Sequence, residues 1–210
     1  GLNTTQECNA ALKMLEGNRE ERIQGLRIFC EYRDQRSFPL LLPLLDQPCP
    51  VERMSAVYAL GRNPCPSAVQ KLVSLLETDD NAYVRRATAW SLANYDNQIV
   101  LKPLINALKN DVAAVRLWSS SSLAEIGNVS SKNAELAAEQ LLISLKIDNE
   151  SGVRSNCIWS LCRLFEKLDN TFQECFVDEC TKIALFDKEP SVMEEAKTAL
   201  DSMGMQGFYN

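Results

Sequence analysis

The cysteines are the residues of this 210-residue chain with the widest chemical reach: Cys8, Cys30, Cys49, Cys65, Cys157, Cys162, Cys175 and Cys180. A thiolate is a nucleophile and a soft metal ligand. Cys157 and Cys162 form one pair and Cys175 and Cys180 another, each with four residues between its members. On a helix, residues five apart lie about 140° around the axis, whereas a structural zinc site uses two to four intervening residues in a turn. That spacing argues against a cluster or zinc site, and Cys157 also falls at a small, inward position of the repeat described below. No metal is expected. Cys49 and Cys65 stand between prolines, in Pro48-Cys49-Pro50 and Pro64-Cys65-Pro66. The prolines read as helix stops and starts; the other reading is a thiol that transiently holds a ligand or a metal, activated at Cys49 by the following helix N-terminus.

There is no histidine. Its absence removes the usual general base near neutral pH, the commonest metal ligand and every Ser-His or Cys-His nucleophile. The carboxylates follow helix faces without an isolated acid/base pair, and the eight glycines are scattered, so no phosphate-cradling loop is present. No catalytic residue is assigned, and the chain reads as a binding protein that is not an enzyme in its own right.

The elements that position these side chains are legible from composition and periodicity. Hydrophobic residues make up 46% and charged residues 24%, as in an ordinary folded domain. A net charge of −6 disfavours sequence-independent nucleic-acid binding, which needs clustered cations. The longest strongly apolar run, 38 to 45, is interrupted by Pro39 and Pro43 and is far short of the roughly 20 residues that span a bilayer. No membrane span is expected. Gly1 to Gln6 lack a basic segment followed by an apolar one, so no secretory signal is read there. With no CxxC pair, the cysteines read as reduced thiols in a cytoplasmic compartment.

One segment recurs: Val84-Arg85 to Leu92, Val115-Arg116 to Leu123, and Val153-Arg154 to Leu161, with weaker copies at Glu21-Arg22 to Phe29, Glu52-Arg53 to Leu60, and Val192-Met193 to Leu200. Arg22, Arg53, Arg85, Arg116 and Arg154 are spaced 31, 32, 31 and 38, and Met193 follows 39 later. The first, fifth and ninth positions of this template share one arc of a 3.6-residue helix and should face inward. The fifth reads Gly25, Ala56, Thr88, Ser119, Cys157, Ala196, small residues suited to close helix packing. A leucine-rich helix precedes each copy, for example Leu40 to Leu45 or Leu72, Leu75 and Leu76. Each unit is therefore a helical hairpin. The prediction is an all-α, right-handed α-solenoid of about six HEAT-like helical hairpins over 1–210 as a single domain, with essentially no β-strand. Wider spacing near 128–135 and 166–172 predicts longer connections or extended helices.

Acidic residues precede the second helices: Glu16, Asp46, Asp80, Asp111, Asp148 and Asp187. They are expected to cap those helices and to lie beside the arginine of the same or a neighbouring repeat. Arg22, Arg53, Arg85, Arg116 and Arg154 with Asp80, Asp111 and Asp148 thus make a structural ladder. The third and seventh template positions point away from the buried arc, toward the concave side. There Met54, Tyr58, Trp90, Leu117 and Trp159 are apolar where a merely solvated face would be polar, and Arg86 joins them at a third position. One turn on, Arg62, Asn94 and Arg163, with Glu125, could orient a partner. The alternative is that these side chains pack sideways against the next repeat. Trp118, on the flank, reads as inter-repeat core.

The Val-Arg, small-residue and Leu pattern, with an acidic turn before it and Leu60-Gly61 or Ile126-Gly127 after it, resembles the HEAT-like repeat of the phycobilisome lyase families. The stretches 53–64 and 81–92 resemble more specifically a cyanobacterial group that includes a HEAT protein partnering an IscA-type iron–sulfur carrier. The resemblance implies one of two activities. The chain would be a scaffold holding a protein partner, an iron–sulfur carrier or a phycobiliprotein, in cofactor or pigment-protein assembly. Alternatively it would be a phycobilin lyase or lyase subunit that attaches a linear tetrapyrrole to phycobiliprotein cysteines, the bilin then being its only cofactor. Neither implication carries a site residue with it, because repeat motifs specify fold better than function.

Overall fold

A computed structural model describes residues 4–204, so Gly1 to Asn3 of the N-terminal stretch lie outside the described residues. Twelve α-helices and no strand are found among them: α1 Thr4–Met14, α2 Arg19–Glu31, α3 Phe38–Leu41, α4 Pro50–Arg62, α5 Val69–Thr78, α6 Ala82–Ser91, α7 Leu101–Asn110, α8 Ala113–Gly127, α9 Ser131–Ile147, α10 Ser151–Leu164, α11 Asn170–Phe186 and α12 Pro190–Ser202. They fall into two compact units, one ending at Pro103 and the other beginning at Leu104.

In the first unit α2, α4 and α6 lie side by side as one layer, α1 packs on α2, and α5 packs on α6. The repeat template explains this layering. Its ninth positions Phe29, Leu60 and Leu92 and its fifth positions Gly25, Ala56 and Thr88 are all buried. Gly25 shows why the fifth position must be small: a Cβ there would lie 2.9 Å from the carbonyl oxygen of Ala11 on α1. The leucine-rich run before α4 departs from expectation. It forms only the four-residue α3 and then a 3-10 turn over Leu42–Asp46. Pro43 removes the N–H that an α-helix would need there, and the tighter turn tolerates its absence.

The second unit repeats the arrangement, with α8, α10 and α12 side by side, α9 packed on α8 and α10, and α11 on α12 and α9. Ser119, Cys157 and Ala196 fill the small fifth positions, and Leu123, Leu161 and Leu200 the ninth, all buried. The wider repeat spacing resolves into extended helices, since α9 and α11 are 17 residues each against 10 for α5.

Helix starts differ from the expected capping by the turn acids. Asn18 closes a capping box with Glu21, and Asn81, Ser130 and Asp169 accept from backbone N–H groups of α6, α9 and α11. The residues before α4, α8, α10 and α12 make no side-chain cap bond; Pro50 and Pro190 sit at the first helical position of α4 and α12 instead. The turn acids are engaged elsewhere, in the arginine ladder.

Candidate partner-binding site

The template arginine lies in the first turn of the second helix of its hairpin and reaches across to the next turn, so its guanidinium ties one repeat to another. Arg53 donates from Nε and Nη2 to the Asp79 carboxylate at 2.9 and 3.1 Å. Arg116 does the same to Asp148 at 2.8 and 3.0 Å, and Arg154 to Asp187 at 3.2 and 2.9 Å. Each also uses Nη1 on a carbonyl of its own turn, those of Gln47, Asp111 and Asp148 respectively. The carboxylates also fix the turn itself, because one oxygen of Asp79, Asp148 and Asp187 accepts the N–H two residues on. Bidentate charge-assisted bonds of this kind are stronger and more directional than neutral ones, and they hold the Arg53 and Arg116 guanidinium groups above their ordinary values.

This geometry refines the ladder at two of its arginines, Arg53 and Arg22. Asp80 does lie beside Arg53, 3.7 Å away, but its side chain is 97% exposed, and its neighbour Asp79 takes the buried bidentate role. The turn acid of the first copy, Glu16, is not what Arg22 bonds. Arg22 bonds the fully buried Glu52 at 3.2 and 2.7 Å and the carbonyl of Gly17 at 2.9 Å. Glu52 occupies a first template position, where four other copies have valine. It is needed because Gln47 stands six residues before Arg53, the offset at which Asp148 precedes Arg154. The rung carboxylate has moved onto the helix. Asp46 instead pairs with Lys71 at the surface. Arg85 donates to the Asp79 carbonyl at 2.9 Å, and the Asp111 carboxylate accepts from the Val112 N–H at 2.7 Å.

With the arginines at position two engaged, positions three, seven and eleven of each second helix form a column on the opposite side. In the first unit Met54, Tyr58 and Arg62 line α4, and Arg86, Trp90 and Asn94 line α6 and the turn after it. The columns meet where the Tyr58 and Trp90 rings stand 5.4 Å apart at 56°. Trp90 is half-buried: a Cβ on Gly61 of α4 would come within 2.5 Å of its ring, so Gly61 makes room for the indole. Sideways packing and partial exposure therefore coexist at Trp90. Arg62 and Asn94 are exposed.

In the second unit the column of α8 carries Leu117 and Glu125, and that of α10 carries Trp159 and Arg163. Leu117 leans on α10, 3.2 Å from where a Cβ of Gly152 would sit. Trp159 is 47% exposed, its ring stacked under the Arg163 guanidinium at 5.0 Å, and Arg163 in turn donates to Glu125 at 2.9 Å. Beside Trp159 a groove of about 410 Å³ runs between α10 and α12 past Cys162, Glu195, Thr198 and Ser202. Trp118, expected in the inter-repeat core, is 37% exposed. Sequence reasoning also missed the apolar edge of Ile143, Ile147 and Phe186, all exposed. Ile147 and Phe186 immediately precede the rungs Asp148 and Asp187, a position that is Thr78 in the first unit, and that contrast is the signal the sequence holds for them.

All eight cysteines are free. Burial pushes the thiols of Cys30 and Cys162 up to about 11 and raises those of Cys157 and Cys180 as well. Such thiols stay protonated and inert at neutral pH. Among the described residues no group of three or more Cys, Asp or Glu is gathered as a metal would require, and no helix is long and apolar enough to cross a membrane.

Comparison with known proteins agrees with the stacked hairpins. The HEAT repeats model matches residues 9–93 and 69–162, well over half of the chain. No curated protein sequence matches it. Among solved structures, an engineered protein has a TM-score of 0.67 at 20% identity, covering 92% of this chain and 98% of that one. A designed armadillo repeat protein in complex with the peptide (KR)4 has a TM-score of 0.66 at 18% identity, with 95% and 98% covered. The complex of CpcE and CpcF of phycocyanin lyase from Nostoc sp. PCC7120 has a TM-score of 0.61 at 22% identity, with 79% and 99% covered. At these identities the likeness is one of fold. The repeat match, the arginine ladder and the paired helices together make this chain a member of the HEAT-repeat family.

Proposed function

We propose that the chain is a binding scaffold that seats a protein partner on the exposed columns of its second helices, in cofactor or pigment-protein assembly within a reducing, cytoplasmic compartment. The observation that carries the reading is Trp159. A large aromatic left 47% exposed, held in place by Arg163 and flanked by a groove, offers an open apolar surface to a partner. Rigid aromatics with a cationic neighbour are what binding surfaces concentrate. An iron–sulfur carrier and a phycobiliprotein are the partner types to offer, on the strength of the repeat resemblance. The test is a pull-down of each purified candidate with wild type, Tyr58→Ala and Trp159→Ala. Loss of capture with unchanged helical circular dichroism supports the reading. Undiminished capture by both variants sinks it.

A second reading has the fold likeness to the phycocyanin lyase complex in its favour. There the chain would hold a linear tetrapyrrole, with exposed Arg62 free to meet a propionate. Titrating the protein into biliverdin and recording the visible band tests it; a spectrum identical to that of the free pigment excludes it.

A further inference from the structure

We propose that the face made by α2, α4 and α6 takes a carboxylate-bearing segment of the partner, with Arg86 as the anchor. This rests on the scaffold reading and specifies the chemistry of what is bound. The ladder arginines Arg22, Arg53, Arg116 and Arg154 are each satisfied twice over, by a carboxylate and by a carbonyl. Arg86 is different. Among the described residues it makes no ion pair and no hydrogen bond, and its Nε is buried without a partner. The Tyr83 ring lies 5.1 Å from its guanidinium carbon and supplies a stacking contact in place of a polar one. The third template position holds Ile23, Met54, Leu117, Ser155 and Glu194 in the other copies, so neither the fold nor the ladder demands a cation there.

A guanidinium is charged at every accessible pH and offers five donors in a planar fork, whose natural complement is a carboxylate. The surroundings have the matching sign. The three columns of the first unit carry Arg27, Arg62 and Arg86 against the single Glu31, on a chain whose net charge is −6. The equivalent columns of the second unit carry Glu125 and Glu194 against Arg163, which Glu125 already occupies. Nucleic acid is a poor occupant for the first face, since three arginines cannot neutralise a run of phosphates on an acidic protein.

The geometry also sets a spacing. Trp90 lies one turn beyond Arg86, about 6 Å along α6. In an extended peptide, side chains on the same side recur every second residue, about 7 Å apart. A carboxylate on Arg86 therefore brings an apolar side chain two residues away over Trp90 and Tyr58. The recognised pattern is an Asp or Glu, any residue, then an apolar residue, read in either direction.

The experiment is selection of a displayed random octapeptide library on the purified chain, followed by affinity measurement of the synthetic peptides recovered. The expected result is enrichment of Asp or Glu with an apolar residue two positions away, a shift in the Trp90 indole N–H resonance on binding, and at least a tenfold weaker affinity for Arg86→Gln. Arg86→Lys keeps the charge without the fork and should fall between the two. Arg33→Gln, an exposed arginine off the columns, is the charge-matched control and should bind as wild type does. Recovered peptides that are basic or neutral, displacement by an oligonucleotide as effective as by the acidic peptide, or unaltered affinity in Arg86→Gln would each overturn the proposal. Non-acidic peptides that still lose affinity in Tyr58→Ala would remove only the charge class and leave the scaffold reading standing. Partner binding that ignores both Tyr58 and Trp159 would remove the scaffold reading itself.

Discussion

Glu52 offers a test of whether the ladder carboxylate is a transferable part. Its side chain is 1% exposed and receives two bonds from Arg22, which is itself 21% exposed. Glu52→Val restores the residue found at this template position in four other copies but strands Arg22 on the Gly17 carbonyl. Breaking a fully buried pair from one side costs about 3–5 kcal/mol. Arg22 can partly rehydrate and the valine regains apolar burial, so we expect a net loss of about 2 kcal/mol. Adding Gln47→Asp puts a carboxylate at the offset used by Asp148 and Asp187, within reach of the same arginine, and should recover stability to within about 1 kcal/mol of wild type. Urea denaturation followed by far-ultraviolet circular dichroism at neutral pH reads all three. An Arg22→Met background supplies the control, because there Gln47→Asp should give nothing. A loss below about 0.5 kcal/mol in Glu52→Val, or equal stabilisation by Gln47→Asp with and without Arg22, would refute the transferable rung.

Three further outcomes are expected. Gly61→Ala should cost about 1–3 kcal/mol, since its Cβ would meet the Trp90 ring at 2.5 Å and the Ser91 hydroxyl at 2.6 Å; thermal unfolding together with near-ultraviolet circular dichroism of the indole will show it. Thiol titration of the folded protein at neutral pH should label exposed Cys175 first, while Cys157 and Cys180 react only after denaturant is added, as their burial and raised values require. The Asp34 carboxyl is held below the usual range by the Arg36 guanidinium bonded to it. Because the folded value lies below the unfolded one, near 4, its contribution is present above that pH and is lost as the pH falls through the folded value. Asp34→Asn should therefore be less stable than wild type at neutral pH and indistinguishable from it at the acid end of a denaturation series.

The repeat is legible because one packing requirement recurs six times. Close approach of paired helices demands a small fifth residue and an apolar ninth, and Gly25 against the Ala11 carbonyl shows the demand directly. What is not legible depends on choices the template leaves free. Asp79 and Asp80 are adjacent acids, and only the turn geometry decides which points inward. The signal for Glu52 is present as a mismatch: an acid at a valine position beside a turn whose rung is Gln47. The candidate face is partly readable, since its columns follow from helical period, yet the degree of exposure is not. Trp90 is half-sheltered by Gly61, Leu117 leans on the start of α10, and Trp159 stands out because its equivalent neighbours Ser121 and Thr198 are small. Periodicity marks Arg86 only as one position of a column; the unpartnered Nε is a property of its surroundings.

The central claim, that a protein partner sits on the exposed columns of the second helices, is tested most directly by site-specific photocrosslinking. A benzophenone amino acid placed at Asn94, Ser121 or Thr198 lies on the columns, and one placed at Gln70 on α5 or Glu139 on α9 lies on exposed positions of the other layer. With the candidate partner present, adducts should form from the column positions and not from Gln70 or Glu139. Adducts confined to α5 and α9 would contradict the account.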